Sequence, residues 1–180
     1  TAFSSKAIEY VSIKTEKAIL SIAPNSYKVV ENKTTCDIKL IESAKIGDVN
    51  VEKKETNSGK ISLSEAEIIV SAGRGLKSPE NWKMIEELAE VLGAATACSK
   101  PVSDMGWRPH SELVGQTGKA VAPNLYIAIG ISGAIQHLAG VNSSKFIVAI
   151  NTDADAPFFK AANYGIIGDA FEVVPKIIEE

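Results

Sequence analysis

The stretch of residues 114–137, which reads VGQTGKAVAPNLYIAIGISGAIQH, constrains the fold of this chain most strongly. Within it, residues 125–131 form a continuous apolar run that is typical of a buried strand. Ser132 and a glycine end this run, and a helical pattern that carries Gln136 and His137 follows. Small residues between a strand and a helix leave backbone N–H groups free to bind an anion, and Ser132 is the predicted helix N-cap. We therefore predict a strand-to-helix turn that binds a nucleotide-type cofactor.

The chain after about residue 63 alternates buried strands with amphipathic helices. The helix predicted over residues 79–92 starts after a serine with a proline, and Gly93 ends it. Trp82, Ile85 and Leu88 lie on one of its faces at helical spacing. This alternation predicts an α/β fold with a parallel sheet flanked by helices. The other predicted strands are residues 67–71, 94–98, 145–150 and 164–168, and the predicted closing helix is 171–178.

Polar side chains collect just past the ends of the predicted strands. Because ligands of open parallel sheets bind at the carboxyl ends of the strands, several polar groups at that edge predict one shared site. Arg74 stands between two glycines in such a turn, and its guanidinium matches phosphate oxygens. From local pattern alone, this Gly-Arg-Gly segment is equally typical of a tight turn without a ligand. The residues at the strand ends are Arg74, Ser99, Lys100, Ser132, Asn151 and Asp169.

The first third of the chain has a different pattern. Residues 17–22 and 36–42 alternate apolar and polar side chains, the period typical of half-buried strands. Residues 49–60 are polar and contain an Asn-Ser-Gly turn. We therefore predict a β-rich connecting segment over residues 1–64 and a main domain over residues 65–180. The sequence does not begin with methionine, and we interpret it as a fragment, a processed product or one domain of a longer protein.

The composition argues against several classes of protein. A net charge of −3 and a pI near 5.5 disfavour non-specific binding to nucleic acid. Cys36, Cys98, His110 and His137 show neither the spacing of metal ligands nor that of a disulfide framework. These features fit a reducing, cytoplasmic compartment. No apolar run reaches about 20 residues and no signal peptide opens the chain, so we expect no membrane insertion.

Two familiar nucleotide-binding motifs are absent. Residues 115–119 read GQTGK, but the phosphate loop of ATPases requires serine or threonine where Ala120 follows, and glycine where Leu113 stands. Gly130 and Gly133 supply only part of the dinucleotide fingerprint, which disfavours a nicotinamide cofactor. Neighbouring motifs also suggest no Ser-His-Asp or Cys-His arrangement for nucleophilic catalysis.

Three motifs together resemble the C-terminal, FAD-binding domain of the electron transfer flavoprotein α subunit. They are VSAGRGLKSPENW over residues 70–82, the block over residues 114–140, and IVAINTDADAP over residues 147–157. The resemblance covers residues 68–175, and the block over residues 114–140 is its most specific part. The segment before residue 64 resembles the family's connection between two domains only loosely.

The resemblance implies a fold like that of deoxyhypusine synthase and a bound FAD in an extended conformation. It implies an electron carrier rather than an enzyme, with a β subunit, acyl-CoA or other dehydrogenases as donors, and a downstream acceptor. It also implies a cytoplasmic location, or the mitochondrial matrix in a eukaryote. The family's larger N-terminal domain is absent from this sequence.

The family's cofactor-binding residues carry over onto matching positions of this sequence. Ser132 and the following amides would hold the pyrophosphate, Thr117 would lie near flavin N5, and His137 near the N1/O2 edge. A donating or positive group at that edge stabilises the negative charge of the reduced flavin and raises its potential. Asn151 and Asp169 would contact the ADP half. The implied FAD-binding residues are Arg74, Ser99, Lys100, Val114, Gly115, Gln116, Thr117, Ser132, Gly133, Ala134, Ile135, Gln136, His137, Asn151, Asp169 and Ala170.

Lys100 departs from the family pattern, which has arginine after this serine. Lysine keeps the positive charge but loses the planar guanidinium, so the difference bears on the flavin potential more than on FAD binding.

Two rival hypotheses stay open from the sequence. One is a structural module that binds an adenine nucleotide without redox activity, and the other is an NAD-linked enzyme on a similar sheet. From spacing alone, a lone histidine such as His137 is more often a structural residue than a functional one.

Overall fold

The computed structural model describes residues 7–22, 25, 27, 30–40, 52 and 61–180. From residue 61 onward, strands and helices alternate along the chain. The strands are β1 (Ile68–Ala72), β2 (Ala95–Cys98), β3 (Leu125–Ile129), β4 (Phe146–Asn151) and β5 (Tyr164–Ile167). The α-helices are α1 (Lys83–Val91), α2 (Lys100–Asp104), α3 (Ile135–Val141), α4 (Phe158–Ala161) and α5 (Ala170–Glu179), and 3-10 turns cover Arg74–Leu76, Pro79–Trp82 and His110–Glu112.

The strands form one parallel sheet in the order β2-β1-β3-β4-β5. Since β1 pairs with both β2 and β3, the chain reverses its direction of progress across the sheet after β2. Such a reversal opens a crevice at the carboxyl ends of the two strands beside it, and α/β proteins bind ligands there. The predicted α/β fold, with a parallel sheet and flanking helices, is confirmed.

Successive side chains of each strand enter two apolar cores on opposite faces of the sheet. Val70 and Ile127 belong to the first core, which also contains the inner side chains of α1 and α5. Ile69 and Tyr126 belong to the second core, together with apolar side chains of α3 and α4. Burial of each large apolar side chain contributes roughly 1.5–3 kcal/mol, so both faces stabilise the sheet.

Two element boundaries near the carboxyl edge differ from the prediction. The helix predicted over residues 79–92 divides into a 3-10 turn and α1, although its predicted inner face is buried. β3 ends at Ile129 because Gly130 adopts a φ of +60°, and α3 begins only at Ile135. The prediction that Ser132 caps this helix is wrong, because Ala134 is the N-cap. The Ser132 carbonyl instead accepts a hydrogen bond from the Phe158 amide at 3.0 Å, which holds Ser132 outside the helix.

The strands predicted before residue 64 are not present in the described part of that segment. Residues 17–22 and 36–40 run as irregular chain, and residues 41–42 lie outside the described residues. Ile19 and Leu40 are fully exposed, because no described strand pairs with this segment. An alternating pattern stabilises a strand only where a neighbouring strand and a core receive it. Of the linker predicted over residues 49–60, only Glu52 is described.

Among the described residues, no helix has both the length and the apolar character that a membrane span requires.

Candidate functional site

A cavity of about 710 Å³ lies at the carboxyl ends of β2, β1, β3 and β4, across the reversal point of the sheet. This volume falls in the range of roughly 300–1,000 Å³ that is typical of small-molecule sites. Polar residues from separate turns line it, so the sheet brings together groups that are far apart in sequence. The lining residues are Gly73, Arg74, Gly75, Ser99, Lys100, Pro101, Asp104, Leu113, Val114, Gly115, Gln116, Thr117, Gly130, Ile131, Ser132, Ala134, Gln136, His137, Asn151 and Asp153.

Three glycines make the floor of the cavity where the turns after β1 and β3 meet. The Gly73 amide donates to the Ile129 carbonyl at 2.9 Å, and the Gly75 amide donates to the Gly130 carbonyl at 3.1 Å. A Cβ on Gly73 would stand 2.3 Å from the Gly130 oxygen, and one on Gly75 would stand 2.6 Å from the Gly130 Cα. The Gly-Arg-Gly segment is therefore required by backbone packing, and the same packing carries Arg74 to the rim.

A tight loop over residues 114–119 forms one wall. The Val114 amide donates to the Cys98 carbonyl at 3.1 Å, and the Gln116 amide donates to the Gln136 carbonyl at 2.7 Å. The first bond fixes the loop to β2 and the second fixes it to α3. Gly118 closes the loop, because a Cβ there would stand 2.4 Å from the Leu113 carbonyl oxygen. Gln116 and Thr117 are exposed in this loop and line the cavity.

The turn from β3 to α3 offers backbone donors. Among the described residues, the amides of Ser132, Gly133 and Ala134 donate to no backbone carbonyl. Gly133 has a φ of +88° and packs against α4, where a Cβ would stand 2.4 Å from the Phe158 nitrogen. Adjacent amides without an internal acceptor are the groups that bind phosphate oxygens at the start of a helix.

His137 occupies the first turn of α3 and is buried beneath the cavity. Its Nε2 lies 2.9 Å from the hydroxyl oxygen of Tyr126, and its ring meets Phe158 edge-on with centroids 5.6 Å apart. Nδ1 is buried and has no hydrogen-bond partner among the described residues. Burial lowers the pKa of His137 to about 4, so the imidazole is neutral at pH 7.

The charges at the cavity are nearly balanced. Arg74 is exposed and forms no ion pair with any residue in the described ranges. Lys100 pairs with Asp104 one turn further along α2, with 3.1 Å between Nζ and Oδ1. Asp153 adds a second carboxylate at the rim. Arg74 is therefore the cationic group most available to an anionic ligand.

Asn151 lines the cavity and also holds two turns together. Its side-chain amide donates to the Ile131 carbonyl at 3.1 Å, and its Oδ1 accepts from the Asp153 amide at 3.1 Å. Both polar atoms of the side chain already have protein partners. Asn151 consequently shapes the wall after β4 whether or not it also contacts a ligand.

Four predicted site residues do not line the cavity: Gly133, Ile135, Asp169 and Ala170. Asp169 caps α5, and its Oδ1 accepts from the Phe171 amide at 3.0 Å while Oδ2 lies 3.4 Å from the Lys77 Nζ. The hydrogen bond from the Phe171 amide is the main reason that the pKa of Asp169 is lowered. Asp169 follows β5, which is the edge strand next to β4, and it lies outside the cavity whose wall Asn151 forms.

Sequence reasoning missed several lining residues. Asp104 was recoverable, because a carboxylate four positions after Lys100 faces it on a helix. The others become neighbours of the cavity only through the packing of turns. The missed residues are Gly73, Gly75, Pro101, Asp104, Leu113, Gly130, Ile131 and Asp153.

Fold and cavity together define a parallel α/β protein with a polar-lined cavity at the reversal point of its sheet. Residues 62–142 match the family described as "Electron transfer flavoprotein FAD-binding domain". Relatives named "Electron transfer flavoprotein subunit alpha" include one from Syntrophomonas wolfei, 43% identical over 99% of this chain and 57% of its own length. Another, from Bacillus subtilis, is 46% identical over 99% of this chain and 56% of its own length.

A mitochondrial electron transfer flavoprotein subunit alpha from Arabidopsis thaliana is 56% identical over 66% of this chain and 32% of its own length. The chain is therefore similar to electron transfer flavoprotein α subunits, and the match to the family's FAD-binding domain runs over residues 62–142. It spans somewhat more than half the length of the two bacterial relatives.

Proposed function

We propose that this chain is the FAD-binding domain of an electron transfer flavoprotein and that it holds FAD in the cavity at the carboxyl edge of the sheet. The observation that carries the proposal is the convergence of the family's flavin-binding runs on one cavity. The loop over residues 114–117 and the turn over residues 132–137 are separate in sequence, yet the Gln116 amide donates to the Gln136 carbonyl and residues of both runs line that cavity.

The donors at the cavity fit a flavin dinucleotide. A pyrophosphate needs several N–H donors and a cation, and the amides of residues 132–134 and the Arg74 guanidinium offer them. A flavin ring presents acceptor atoms along one edge, and the buried Nδ1 of His137 has no partner in the part of the chain that the structure describes. Such an orphaned buried group is satisfied when a ligand supplies the missing hydrogen bond.

Bound FAD supplies the chemistry, which is reversible uptake and release of electrons. The chain's own residues bind and orient it. Thr117 would donate to the ring from its loop, His137 would donate to the opposite edge, and Lys100 would place positive charge beside the ring. Each of these groups stabilises negative charge on the flavin more than it stabilises the neutral ring, and therefore raises its potential.

The partners follow from the same proposal. The relatives are named as α subunits, and we propose that this chain functions beside a β subunit. Dehydrogenases, including those that act on acyl-CoA, would donate electrons, so the protein would carry electrons rather than convert a substrate of its own. Its compartment would be the cytoplasm in a bacterium and the mitochondrial matrix in a eukaryote, and the plant relative is named as mitochondrial.

FAD titration tests this proposal. The purified chain, alone and with its cognate β subunit, is mixed with FAD and freed of unbound ligand, and the retained flavin absorbance is measured. Thr117→Val should weaken FAD binding roughly fivefold, as expected for one lost hydrogen bond. Thr35→Val is the matched control, because Thr35 is exposed in the N-terminal segment and does not line the cavity, so this variant should bind FAD like the wild type.

Competition by ADP and FMN separates the flavin proposal from the structural adenine-nucleotide module. Under the flavin proposal, both compete for the cavity and FAD binds more tightly than either. Retention of no flavin with the β subunit present would overturn the proposal. Equal affinity for ADP and FAD, without competition by FMN, would instead indicate a structural adenine-nucleotide module.

A further inference from the structure

The contact between Tyr126 and His137 lies in the second core of the sheet, directly behind the cavity. Tyr126 belongs to β3 and has no exposed surface, while His137 belongs to α3 and lines the cavity. The phenol ring stacks on Phe158 at an interplanar angle of 10°, and this packing fixes its hydroxyl against Nε2 of the imidazole. The phenol hydroxyl is thus a polar group in an otherwise apolar core, and its hydrogen bond is to His137.

We propose that Tyr126 is a positioning residue that holds His137 as the tautomer protonated at Nδ1, so that His137 presents one neutral N–H donor to an acceptor atom of the bound ligand. The inference deepens the proposed function and, where it concerns FAD, rests on it. The partner chemistry is an edge of a heterocycle that carries a carbonyl oxygen or an unprotonated ring nitrogen.

The first step is the direction of the hydrogen bond between the two side chains. Burial raises the pKa of Tyr126, so the phenol keeps its proton and can donate. Besides His137, Ser71 and the Cys98 thiol are polar groups that act on the phenol. The Ser71 hydroxyl is buried without a hydrogen-bond partner among the described residues, so the phenol donates no hydrogen bond to it. The proton of the phenol is then left for Nε2 of His137, 2.9 Å away.

The second step is the location of the imidazole proton. A neutral imidazole carries one proton, and the hydrogen bond made by one ring nitrogen decides which nitrogen carries it. Since Nε2 accepts from Tyr126, Nδ1 carries the proton. Nδ1 is buried without a partner among the described residues, and this N–H is therefore the donor that remains for a ligand.

A neutral N–H donor at His137 would favour ligands whose facing edge is rich in electrons. A neutral donor stabilises negative charge by a directed hydrogen bond, without introducing a full positive charge into the core. It also discriminates, because a ligand whose facing atom is itself a donor would leave two N–H groups opposed. Tyr126 thus acts on the ligand through His137 and does not touch it.

Histidine tautomers are read directly by NMR, and this chain is suited to the measurement because it contains 2 histidines. Long-range ¹H–¹⁵N spectra of the 180-residue chain labelled at histidine report which ring nitrogen is protonated. His110→Gln removes one of the two signals and so assigns the other to His137. The expected result without ligand is protonation of Nδ1 and a lone pair at Nε2.

Tyr126→Phe removes only the hydroxyl and should shift His137 toward a mixture of both tautomers. Tyr164→Phe is the matched control, because Tyr164 is exposed on β5 and its loss should leave the His137 spectrum unchanged. Protonation of Nε2 in the wild type, or an unchanged spectrum in Tyr126→Phe, would overturn the inference. Should Tyr126→Phe fail to fold, the wild-type spectrum alone decides.

Binding provides the second readout. Tyr126→Phe should raise the dissociation constant of FAD roughly three- to tenfold and lower the flavin potential, while Tyr164→Phe should change neither. If Tyr126→Phe left both the FAD dissociation constant and the flavin potential unchanged, the inference would be contradicted. If the wild-type chain bound no FAD, the proposed function would fail, whereas the spectra without ligand would still decide the tautomer.

Discussion

Lys100 and Asp104 form an ion pair along one side of α2, with 3.1 Å between the ammonium nitrogen and the nearer carboxylate oxygen, and both side chains line the cavity. Each is more than half exposed, so the pair contributes little to stability. Its effect on a ligand is larger than its effect on the fold, because Asp104 offsets the positive charge that Lys100 would otherwise place at the cavity.

Asp104→Asn should therefore strengthen the influence of Lys100 on bound FAD. We expect the flavin potential to rise on the order of 20 mV, which corresponds to about 1 kcal/mol for a two-electron couple. The rise should shrink as salt is added, because the charges are exposed. Spectroelectrochemical titration measures the potential. Glu87→Gln is the control, since Lys83–Glu87 is a similar exposed pair on α1 outside the cavity.

His137 should make the protein less stable as the solution becomes acidic. Burial lowers its pKa from 6.5 to about 4, so between these values the unfolded chain binds a proton that the folded chain does not. The free energy of unfolding is unaffected by this group above pH 6.5 and falls as the pH decreases toward 4, with a limiting slope of about 1.4 kcal/mol per pH unit.

Urea unfolding at several pH values, compared between the wild type and His137→Asn, isolates this contribution, because the carboxylates are common to both. The wild type should lose stability relative to His137→Asn between pH 6.5 and 4. A constant difference over that range would show that His137 does not stay neutral in the folded chain.

Gly133→Ala should destabilise the protein far more than Gly106→Ala. Both glycines have left-handed backbone, with φ of +88° and +72°, so alanine at either position carries a backbone penalty of about 1–2 kcal/mol. A Cβ at Gly133 would also stand 2.4 Å from the Phe158 nitrogen, whereas nothing lies within 4 Å at Gly106. Urea midpoints and FAD affinity measure the contrast. Equal losses in both variants would contradict the packing described for the turn after β3.

Arg108→Lys should loosen the segment that precedes the loop over residues 114–119. Nε and Nη2 of Arg108 each donate to Glu112 at 2.7 Å, and Nη1 donates to Glu86 at 2.9 Å. The hydrogen bond to Glu112 is the main cause that raises the pKa of Arg108. Lysine cannot reproduce the planar fork, and we expect a loss of about 1–3 kcal/mol in the free energy of unfolding.

The two partners of Arg108 provide an internal comparison. The Glu112 side chain is 13% exposed and that of Glu86 is 46% exposed. Glu112→Gln should therefore reduce stability clearly, while Glu86→Gln should change it by less than about 1 kcal/mol. A larger loss of stability in Glu86→Gln than in Glu112→Gln would show that the hydrogen bond to Glu86 is the one that stabilises this segment.

The two cysteines should differ sharply in reactivity. Cys36 is exposed, whereas burial raises the pKa of the Cys98 thiol to about 12. Because the thiolate is the reactive form, Cys98 should resist a thiol reagent in the folded chain. Ellman's reagent should titrate one thiol quickly and the second only in denaturant. Rapid labelling of both, located by mass spectrometry, would argue against the packing of β2.

Much of the fold follows from short stretches of sequence. The strands after residue 65 are continuous apolar runs, because strands buried on both faces of a parallel sheet have no solvent side. The polar and small residues after these runs mark the carboxyl edge, and β1, β2 and β4 indeed contribute Arg74, Ser99 and Asn151 to one cavity. The α1 face with Ile85 and Leu88 follows equally from helical spacing.

The N-terminal segment shows the limit of such patterns. Residues 17–22 alternate as a strand does, yet alternation states only which side chains would share a face. Without a described neighbour to pair with, their backbone groups and apolar side chains stay exposed to water. The same limit applies to Ser132, whose side chain suits an N-cap but whose carbonyl is bound to the Phe158 amide.

By itself, the sequence determined which stretches become strands and helices and which residue types stand at their ends, because hydrophobic periodicity and turn chemistry are local. The tertiary structure alone decided which ends meet. The order of the strands places Gly130 against Gly73 and Gly75, and it places Tyr126 behind His137. These contacts depend on how the strands are ordered and how the two faces of the sheet pack, and no local pattern contains that information.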